Sequence, residues 1–404
     1  MKILLINQAF YPDLVATGQQ LTDLAEFLVS RGHEVTVIAG GHGYEDPTLR
    51  FFRTETHRGI RIHRLAYTAW GKTSRRRRAL DFLSFYFNLC FKLLLTPGQD
   101  VVVGLTSPPL VAVAGNLFCL LKGGRFVYWV MDMNPEEAIA AGWLEENSPV
   151  ARLLRGAARW CYRKSRRMVA LDRFVKDKIV ASYGIDPAKV DIIPPWAHDE
   201  RIHPVPHEEN RFRKTRGLES KFVVMYSGNH SPCHPLTTLL ESARAMRDDS
   251  RTLFYFVGGG SLVREVRDYR ERHSLANVVQ LEYQPWDGLS ESLSAADLHV
   301  VVMGEKFAGI VHPCKIYGIL AVGRPFVLVG PRDCAIGDLI AESGLGWRVD
   351  HGDAVGLAAV IGKAKALTPE ERGEIRRRSI CLKDERYSQK TLCRLWADLL
   401  EKKP

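Results

Sequence analysis

The feature that most restricts this chain is an alternation of short apolar runs and amphipathic stretches that occurs twice. Lys2–Asn7 reads as a strand, and Thr17–Arg31 follows with Leu21, Leu24, Ala25, Leu28 and Val29 at helical spacing. Gly32 ends that helix, and Glu34–Ala39 is the next strand. Further strands fall at Asp100–Leu105, Phe126–Val130 and Arg167–Leu171, with helical patterns over 109–122, 149–165 and 172–183. Continuously apolar strands separated by helices predict a parallel sheet covered on both faces. Residues 194–217 break the pattern, with Pro194, Pro195, Pro204 and Pro206 among charged residues and histidines, and read as a linker.

The alternation then restarts. Strands are expected at Phe222–Ser227, Thr252–Val257, Val278–Glu282, Leu298–Val302 and Pro325–Val329. Helices are expected over 235–246, 261–273, 288–295, 315–322, 335–342 and 353–366, and Tyr387–Lys402 has the apolar stripe of a final amphipathic helix. The expected fold class is α/β, with two Rossmann-like, doubly wound parallel-sheet domains facing across a cleft. The expected boundaries are 1–195 for the first domain, 196–217 for the linker and 218–385 for the second domain, with a helix in 386–404 returning to the first. Ligands of such sheets bind outside the C-terminal ends of the strands.

Composition narrows the partners. With 46% hydrophobic and 25% charged residues, wholesale disorder and a disulfide-dense scaffold are excluded. The formal charge is +10, but residues 51–100 carry 10 basic and 3 acidic side chains and residues 151–200 carry 11 and 6, so two local patches produce the excess. Such patches favour phosphate-rich partners. The eight cysteines form no C-x-x-C pair and read as reduced, mostly buried thiols of a cytoplasmic protein. The opening apolar run is too short for a signal peptide, and no run of about 18 residues is apolar and uncharged enough to suggest a spanning helix.

Several loops carry chemistry. Gly18 lies where the loop after the first strand enters a helix, either as a contact for a phosphate or sugar hydroxyl or as a simple turn glycine. Gly228-Asn-His-Ser-Pro-Cys-His-Pro235 repeats that geometry after Phe222–Ser227. Its His230 and His234 suggest anion contact; Pro232 argues against the regular helix that a zinc pair would prefer. Gly258-Gly259-Gly260 allows close backbone approach to a ligand, or a plain turn. Lys315 is expected in the first turn of a helix after Gly309-Ile310-Val311-His312, where the helix dipole disfavours a cation, so a bound phosphate explains it better. Asp132 follows a strand end, either in the cleft or as a helix cap. No Asp-x-Asp, G-x-S-x-G or P-loop pattern occurs.

In order and spacing, Lys2–Asn7, Tyr11-Pro12, Gly18, Arg31–Val37, Thr106–Pro109, Asp132 with Pro135-Glu136, and Ile193–Trp196 resemble glycosyltransferase family 4, of the GT-B fold. The likeness continues through Tyr226–Asn229, Leu239–Glu241, Val257–Gly260, Ala295–Asp297 and Pro313–Pro325. It implies a transferase that moves a sugar from a nucleotide-diphosphate donor, UDP- or GDP-linked, with retention and without a bound metal. It implies an acceptor on the first domain and the donor on the second. Lys315, Asn229, His230, His234, Gly259 and backbone at Gly309, Ile310 and Val311 would hold the donor. Gly18 would leave room beside it, and Asp132, His312 and Lys315 would be catalytic.

The chain departs from the family where a glutamate pair often stands, with Ile310 and Gly318 there instead. It also has Asn229 and His234 where the family often has Arg and Lys, and Thr106–Pro109 where a histidine often follows the strand. Lys315 matches a Pro-x-Lys variant, and His234 is expected to supply part of the missing charge if the diphosphate raises its pKa.

Arg75, Arg76, Arg77 and Arg78 precede a Phe- and Leu-rich helical segment that includes Phe82 and Phe85. A cationic start before an aromatic helix fits shallow insertion at an anionic membrane surface; a core helix beside a solvated loop fits too. The expected activity is extension of a lipid-linked or saccharide acceptor in cell-surface polysaccharide or glycolipid synthesis, in the cytoplasm and peripherally on the inner membrane face, without nucleic acid. A GT-B sugar-nucleotide epimerase or hydrolase, and a silent membrane-associated binding protein, fit the same residues.

Overall fold

The computed structural model describes residues 1–13, 15–44, 46–68, 70, 75–197 and 201–402, without the side chains of residues 75, 76, 78 and 79. The chain divides into two compact units: Met1–Pro194 with Gly309–Val311 and Leu392–Pro404, and Pro195–Ala308 with His312–Thr391.

The first unit holds strands β1 (Lys2–Ile6), β2 (Glu34–Gly40), β3 (Thr54–His57), β4 (Ile60–Leu65), β5 (Val101–Gly104), β6 (Arg125–Val130), β7 (Arg167–Ala170) and β8 (Val190–Ile192). Its helices are α1 (Ala16–Ser30), α2 (Arg75–Leu95), α3 (Val111–Lys122), α4 (Glu136–Ala140), α5 (Pro149–Lys164) and α6 (Arg173–Tyr183). The strands form one sheet in the order β3-β4-β2-β1-β5-β6-β7-β8. Only β3 runs antiparallel, against β4 at the edge. The apolar runs of β1, β5 and β6 are buried almost throughout, as a sheet covered on both faces requires.

The second unit begins with α7 (Arg211–Lys214), β9 (Phe222–Ser227), α8 (Thr237–Ala245), β10 (Thr252–Val257), α9 (Val263–Arg272) and β11 (Val278–Leu281). It continues through α10 (Leu289–Ser294), β12 (Leu298–Val302), α11 (Lys315–Val322), β13 (Phe326–Val329), α12 (Ala335–Ser343), β14 (Trp347–Val349), α13 (Ala354–Ala366) and α14 (Pro369–Arg386). Its sheet has the order β11-β10-β9-β12-β13-β14, parallel throughout. Tyr226, Phe254, Phe256, Leu240 and Val300 pack together in its core.

Three expectations change. The segment read as a linker is built into the second unit over 201–217: Val205 N–H donates to Ser294 Oγ at 2.9 Å and Asn210 Nδ2 to Glu291 O at 2.7 Å. The side chain of Asn210 also caps α7. Its prolines and histidines follow no period because the strap is held by these bonds and not by an apolar stripe. The helix α14 went unread because it buries only Ser379, although Thr368 and Glu371 form a capping box around Pro369. The cysteines form no disulfide, but only Cys161, Cys233, Cys334 and Cys393 are buried, and Cys90 and Cys381 are exposed.

The final helix, α15 (Gln389–Glu401), belongs to the first unit from Leu392 onward. Its fully buried Trp396 meets Trp129 of β6 with ring centroids 4.4 Å apart. Arg31 holds Glu401 at 2.7 Å, and Arg125 donates to the carbonyls of Leu400 and Lys402.

Candidate active site

In each sheet the chain leaves a central strand in both directions: β1 lies between β2 and β5, and β9 between β10 and β12. The crevices at the C-terminal ends of β1 and β9 are therefore where a ligand would sit in each unit.

At the end of β9 the structure brings together most of the second-half residues singled out above. Lys315 opens α11, with no acidic residue in that helix's first turn. Its Nζ is buried, has no hydrogen-bond partner among the described residues, and lies 3.5 Å from the centroid of the Tyr226 ring. Burial pushes the ammonium well below the ordinary lysine range. Gly228, with φ of +139°, makes room for it: a Cβ there would stand 3.3 Å from Lys315 Nζ. Tyr226 Oη donates to Asn229 O at 2.6 Å and so ties the aromatic platform to the loop above it. In the sequence Tyr226 stands out only as part of the family pattern. Its place two residues before Gly228, at the end of a buried strand, was the available signal.

His230 is fully buried, its ring edge-on to Tyr226 at 5.2 Å, and neither ring nitrogen makes a well-formed hydrogen bond. Burial, then the nearby Lys315 charge, pushes it down to about 4. His234 donates from Nδ1 to Val302 O at 2.7 Å, which fastens the loop to the end of β12. Burial and Lys315 push His234 down to about 3. Both rings are therefore neutral in the ligand-free state, so His234 would supply charge only where a bound diphosphate raised its pKa. The same tether delays the helix: α8 starts at Thr237 after the cap Leu236, so Pro235 stands before it and not in its first turn.

The glycine triplet is shaped by loop-to-loop packing. A Cβ on Gly258 would overlap Gly228 O, and one on Gly260 would overlap Asn229 Oδ1 and His230 O. A Cβ on Gly259 would come 3.0 Å from the Tyr283 ring. His312 engages the Tyr317 hydroxyl at 2.8 Å and stacks on its ring. Gly318 packs toward Leu293 and Ile202, so apolar contacts take the position where the family often carries a glutamate.

The remaining candidates lie in the first unit. Gly309, with φ of +71°, backs onto Phe174 O, and Ile310 O accepts from Met133 N–H at 3.0 Å. That bond brings Ile310 and Val311 beside Asp132, which is half-buried just past β6. The cap of α4 is Pro135, without a side-chain bond, so Asp132 is not its cap. Gly18 is inside the first turn of α1, and a Cβ there would stand 3.3 Å from the Ala9 carbonyl carbon, so close packing on the Ala9–Phe10 backbone accounts for the glycine. At the same strand ends, Gln8 Nε2 donates to Tyr67 Oη at 3.1 Å and Ser107 Oγ to Gln8 Oε1 at 3.4 Å. This polar trio was not singled out, because no spacing in the sequence relates residues 8, 67 and 107.

The aromatic segment is a helix, α2, but the expected outward residues need correction. Phe85 is 0% exposed and packs edge-on to Tyr67, so it faces the core. Phe82 is half-buried and Arg77 is exposed; the side chains of Arg75, Arg76 and Arg78 lie outside the described residues. No described helix is long and apolar enough to cross a membrane. Among the described residues no cluster of three or more His, Cys, Asp or Glu could hold a metal ion.

Two parallel-sheet α/β units, each with a crevice at the C-terminal ends of its central strands, are the architecture of the GT-B fold. Residues 16–196 match the family model for the Glycosyl transferase 4-like domain. The chain is similar to the probable glycosyltransferase WbjE of Pseudomonas aeruginosa, 27% identical over 75% of each protein. It is also similar to the putative colanic acid biosynthesis glycosyl transferase WcaI of Escherichia coli K12, 25% identical over 91% of this chain and 93% of that one. Its fold is shared with Anabaena HepE, solved in complex with UDP and glucose, with a TM-score of 0.75, 17% identity and 99% coverage of both chains. Residues 16–196 thus carry a glycosyltransferase 4-like domain, and the chain is a glycosyltransferase with the GT-B fold.

Proposed function

We propose that this glycosyltransferase takes its sugar from a nucleoside-diphosphate donor held by the second unit, and that Lys315 receives the diphosphate. The observation that carries this is the buried, hydrogen-bond-free Lys315 Nζ above Tyr226. A buried cation without an anionic partner is costly, and a phosphate oxygen would satisfy it. Developing charge on the leaving diphosphate is then met by a preorganised cation and by the first turn of α11. The structural neighbour solved with UDP and glucose makes a UDP-sugar the first donor to test.

In this reading Asn229 and the backbone at Gly259 border the donor. His230 and His234 stay neutral, and His234, whose Nδ1–H is committed to Val302, offers Nε2 as an acceptor to a sugar hydroxyl. Asp132 and His312 orient hydroxyls, and backbone at Gly309–Val311 contacts the sugar. The reaction retains configuration and needs no metal, because Lys315 supplies the charge that a metal would. The name of the relative WcaI supports a cell-surface polysaccharide as product, built on a lipid-linked or saccharide acceptor. The protein works in the cytoplasm, at the inner face of the membrane.

A thermal-shift panel of UDP-, GDP- and ADP-sugars, each with and without EDTA, tests the donor assignment. A bound donor at one hundred times its Kd adds about 2.7 kcal/mol of stability. UDP-sugars are expected to raise Tm equally with and without chelator. No response to any nucleotide sugar would sink the assignment.

A further inference from the structure

The outer surface of the first unit carries an apolar face that no described residue covers. On α2, the residues Asp81, Phe85, Leu89 and Leu93 are buried against the unit, and the opposite stripe is apolar as well. Leu83, Phe87, Phe91 and Leu94 follow one another at steps of three and four and are all exposed, Phe87 by 75%. The neighbouring α3 repeats this, burying Phe118 and exposing Leu120 and Leu121, the latter by 76%. The two helices pack together. Their C-terminal ends are joined by Lys122, whose Nζ donates to the carbonyls of Leu94 and Thr96 at 2.6 Å. The exposed stripes thus lie on two neighbouring, packed helices of one unit, and exposed apolar residues gathered in this way mark an interaction surface.

A cationic strip flanks it. On α5, which packs on the other side of α3, Arg152, Arg159 and Arg163 are exposed at steps of seven and four. None of the three has a carboxylate partner among the described residues. Arg77 is exposed near the start of α2.

We propose that this face of α2 and α3, flanked by the arginines of α5, docks onto an anionic phospholipid bilayer, with Leu83, Phe87, Phe91, Leu94, Leu120 and Leu121 entering the interface. This deepens the membrane-side reading above by naming the surface, and it replaces Phe82 and Phe85 as the inserted residues. Charge complementarity selects the bilayer as occupant. Anionic headgroups attract the arginine strip while acyl chains receive the Phe and Leu side chains, and the two layers lie side by side in an interface. A second copy of the chain fits less well, because it would offer the arginine strip no matching anionic surface.

The test is flotation of the purified full chain with vesicles of phosphatidylcholine containing 30% phosphatidylglycerol, and with vesicles of phosphatidylcholine alone. The wild type is expected to float with the anionic vesicles and at least tenfold less with the neutral ones. Phe87→Ser combined with Phe91→Ser is expected to reduce flotation at least tenfold. Val355→Ser, at an equally exposed apolar residue of the second unit, is expected to leave flotation unchanged. Stabilisation by UDP, measured on every variant, verifies that the fold is intact. A wild type that stays with neither vesicle, or a double variant that floats as well as the wild type, overturns the proposal. So does a wild-type dimer in light scattering that the double variant converts to monomer, since the face would then be a self-interface. A chain that floats as expected but does not respond to nucleotide sugars would sink the donor reading and leave the membrane face standing.

Discussion

Replacing Lys315 by methionine should move stability and donor affinity in opposite directions. Methionine keeps the apolar stem beside Gly228 and Tyr226 but removes the ammonium. In the ligand-free protein the charge makes no hydrogen bond and lies 3.5 Å from the Tyr226 ring centroid. A desolvated cation–π contact is worth about 2 kcal/mol, whereas burying a charge without an ionic partner costs several kcal/mol. The balance favours the variant, so its ligand-free Tm should be unchanged or higher, by about 2–4 °C per kcal/mol for a unit of this size. Donor affinity should fall. A hydrogen bond to a charged group contributes about 1.5–3 kcal/mol, which corresponds to roughly 10- to 150-fold in Kd for UDP.

The pH dependence follows from the same group. Burial holds Lys315 below its unfolded pKa of 10.5. The unfolded chain therefore binds more protons in the window between the folded and unfolded pKa values, and wild-type stability rises with pH there. The stabilising effect of the methionine should be greatest at low pH and vanish above the unfolded pKa. A diphosphate favours the charged form, so UDP binding should take up protons and weaken as pH rises. Calorimetric titration of UDP in two buffers of different ionisation enthalpy measures both affinity and proton uptake. An unchanged Kd in the variant, or a ligand-free Tm several degrees lower, would refute the reasoning.

Three further outcomes are expected. Asp297→Ala should destabilise the second unit by about 3–5 kcal/mol in urea unfolding, because Asp297 Oδ2 accepts from Val223 N–H at 2.8 Å and from the buried Arg213 at 3.1 Å, leaving that guanidinium without its carboxylate. Gly258→Ala should cost more than about 2 kcal/mol and abolish donor binding, since φ is +134° and the new Cβ overlaps Gly228 O; a normally stable variant in thermal unfolding would contradict the loop packing. Acid should unfold the second unit early. His207, His230 and His299 are held to about 4 and His234 to about 3, so each is neutral in the fold and charges first in the unfolded chain. Stability is complete above pH 6.5 and falls below it, by about 1.4 kcal/mol per pH unit for each such histidine until its folded pKa is reached. His299→Gln, which retains a donor toward Leu293 O, should flatten the decline of Tm between pH 6.5 and 4.

What the chain reveals in one dimension depends on whether a contact has a period. The strands of both sheets are legible because strands buried on both faces must be apolar residue after residue, as in the fully buried VVVG of β5 and LHVVV of β12. The edge pair β3 and β4 is illegible for the same reason. Its residues, TETH and IRIHRL, meet solvent on one side, and β3 buries none of them. The position of Lys315 at a helix start is legible because the cation conflicts with the helix dipole there.

The reason for the conflict is not legible, because Tyr226 and Gly228 reach Lys315 from 89 and 87 residues away along the chain, through adjacent strand ends. The direction of α2 is hidden by a different degeneracy. With Phe and Leu all round the helix, hydrophobic phase cannot choose between the face of Phe85 and that of Phe87. The inward face is marked by polar contacts: Asp81 accepts from Trp70 N–H at 3.1 Å and Ser84 Oγ from Thr68 N–H at 3.0 Å, beside Phe85 packed on Tyr67. Such polar contacts thus identify the inner face of a helix whose own apolar pattern leaves it undetermined, and the Phe and Leu side chains left outside become the surface that needs a partner.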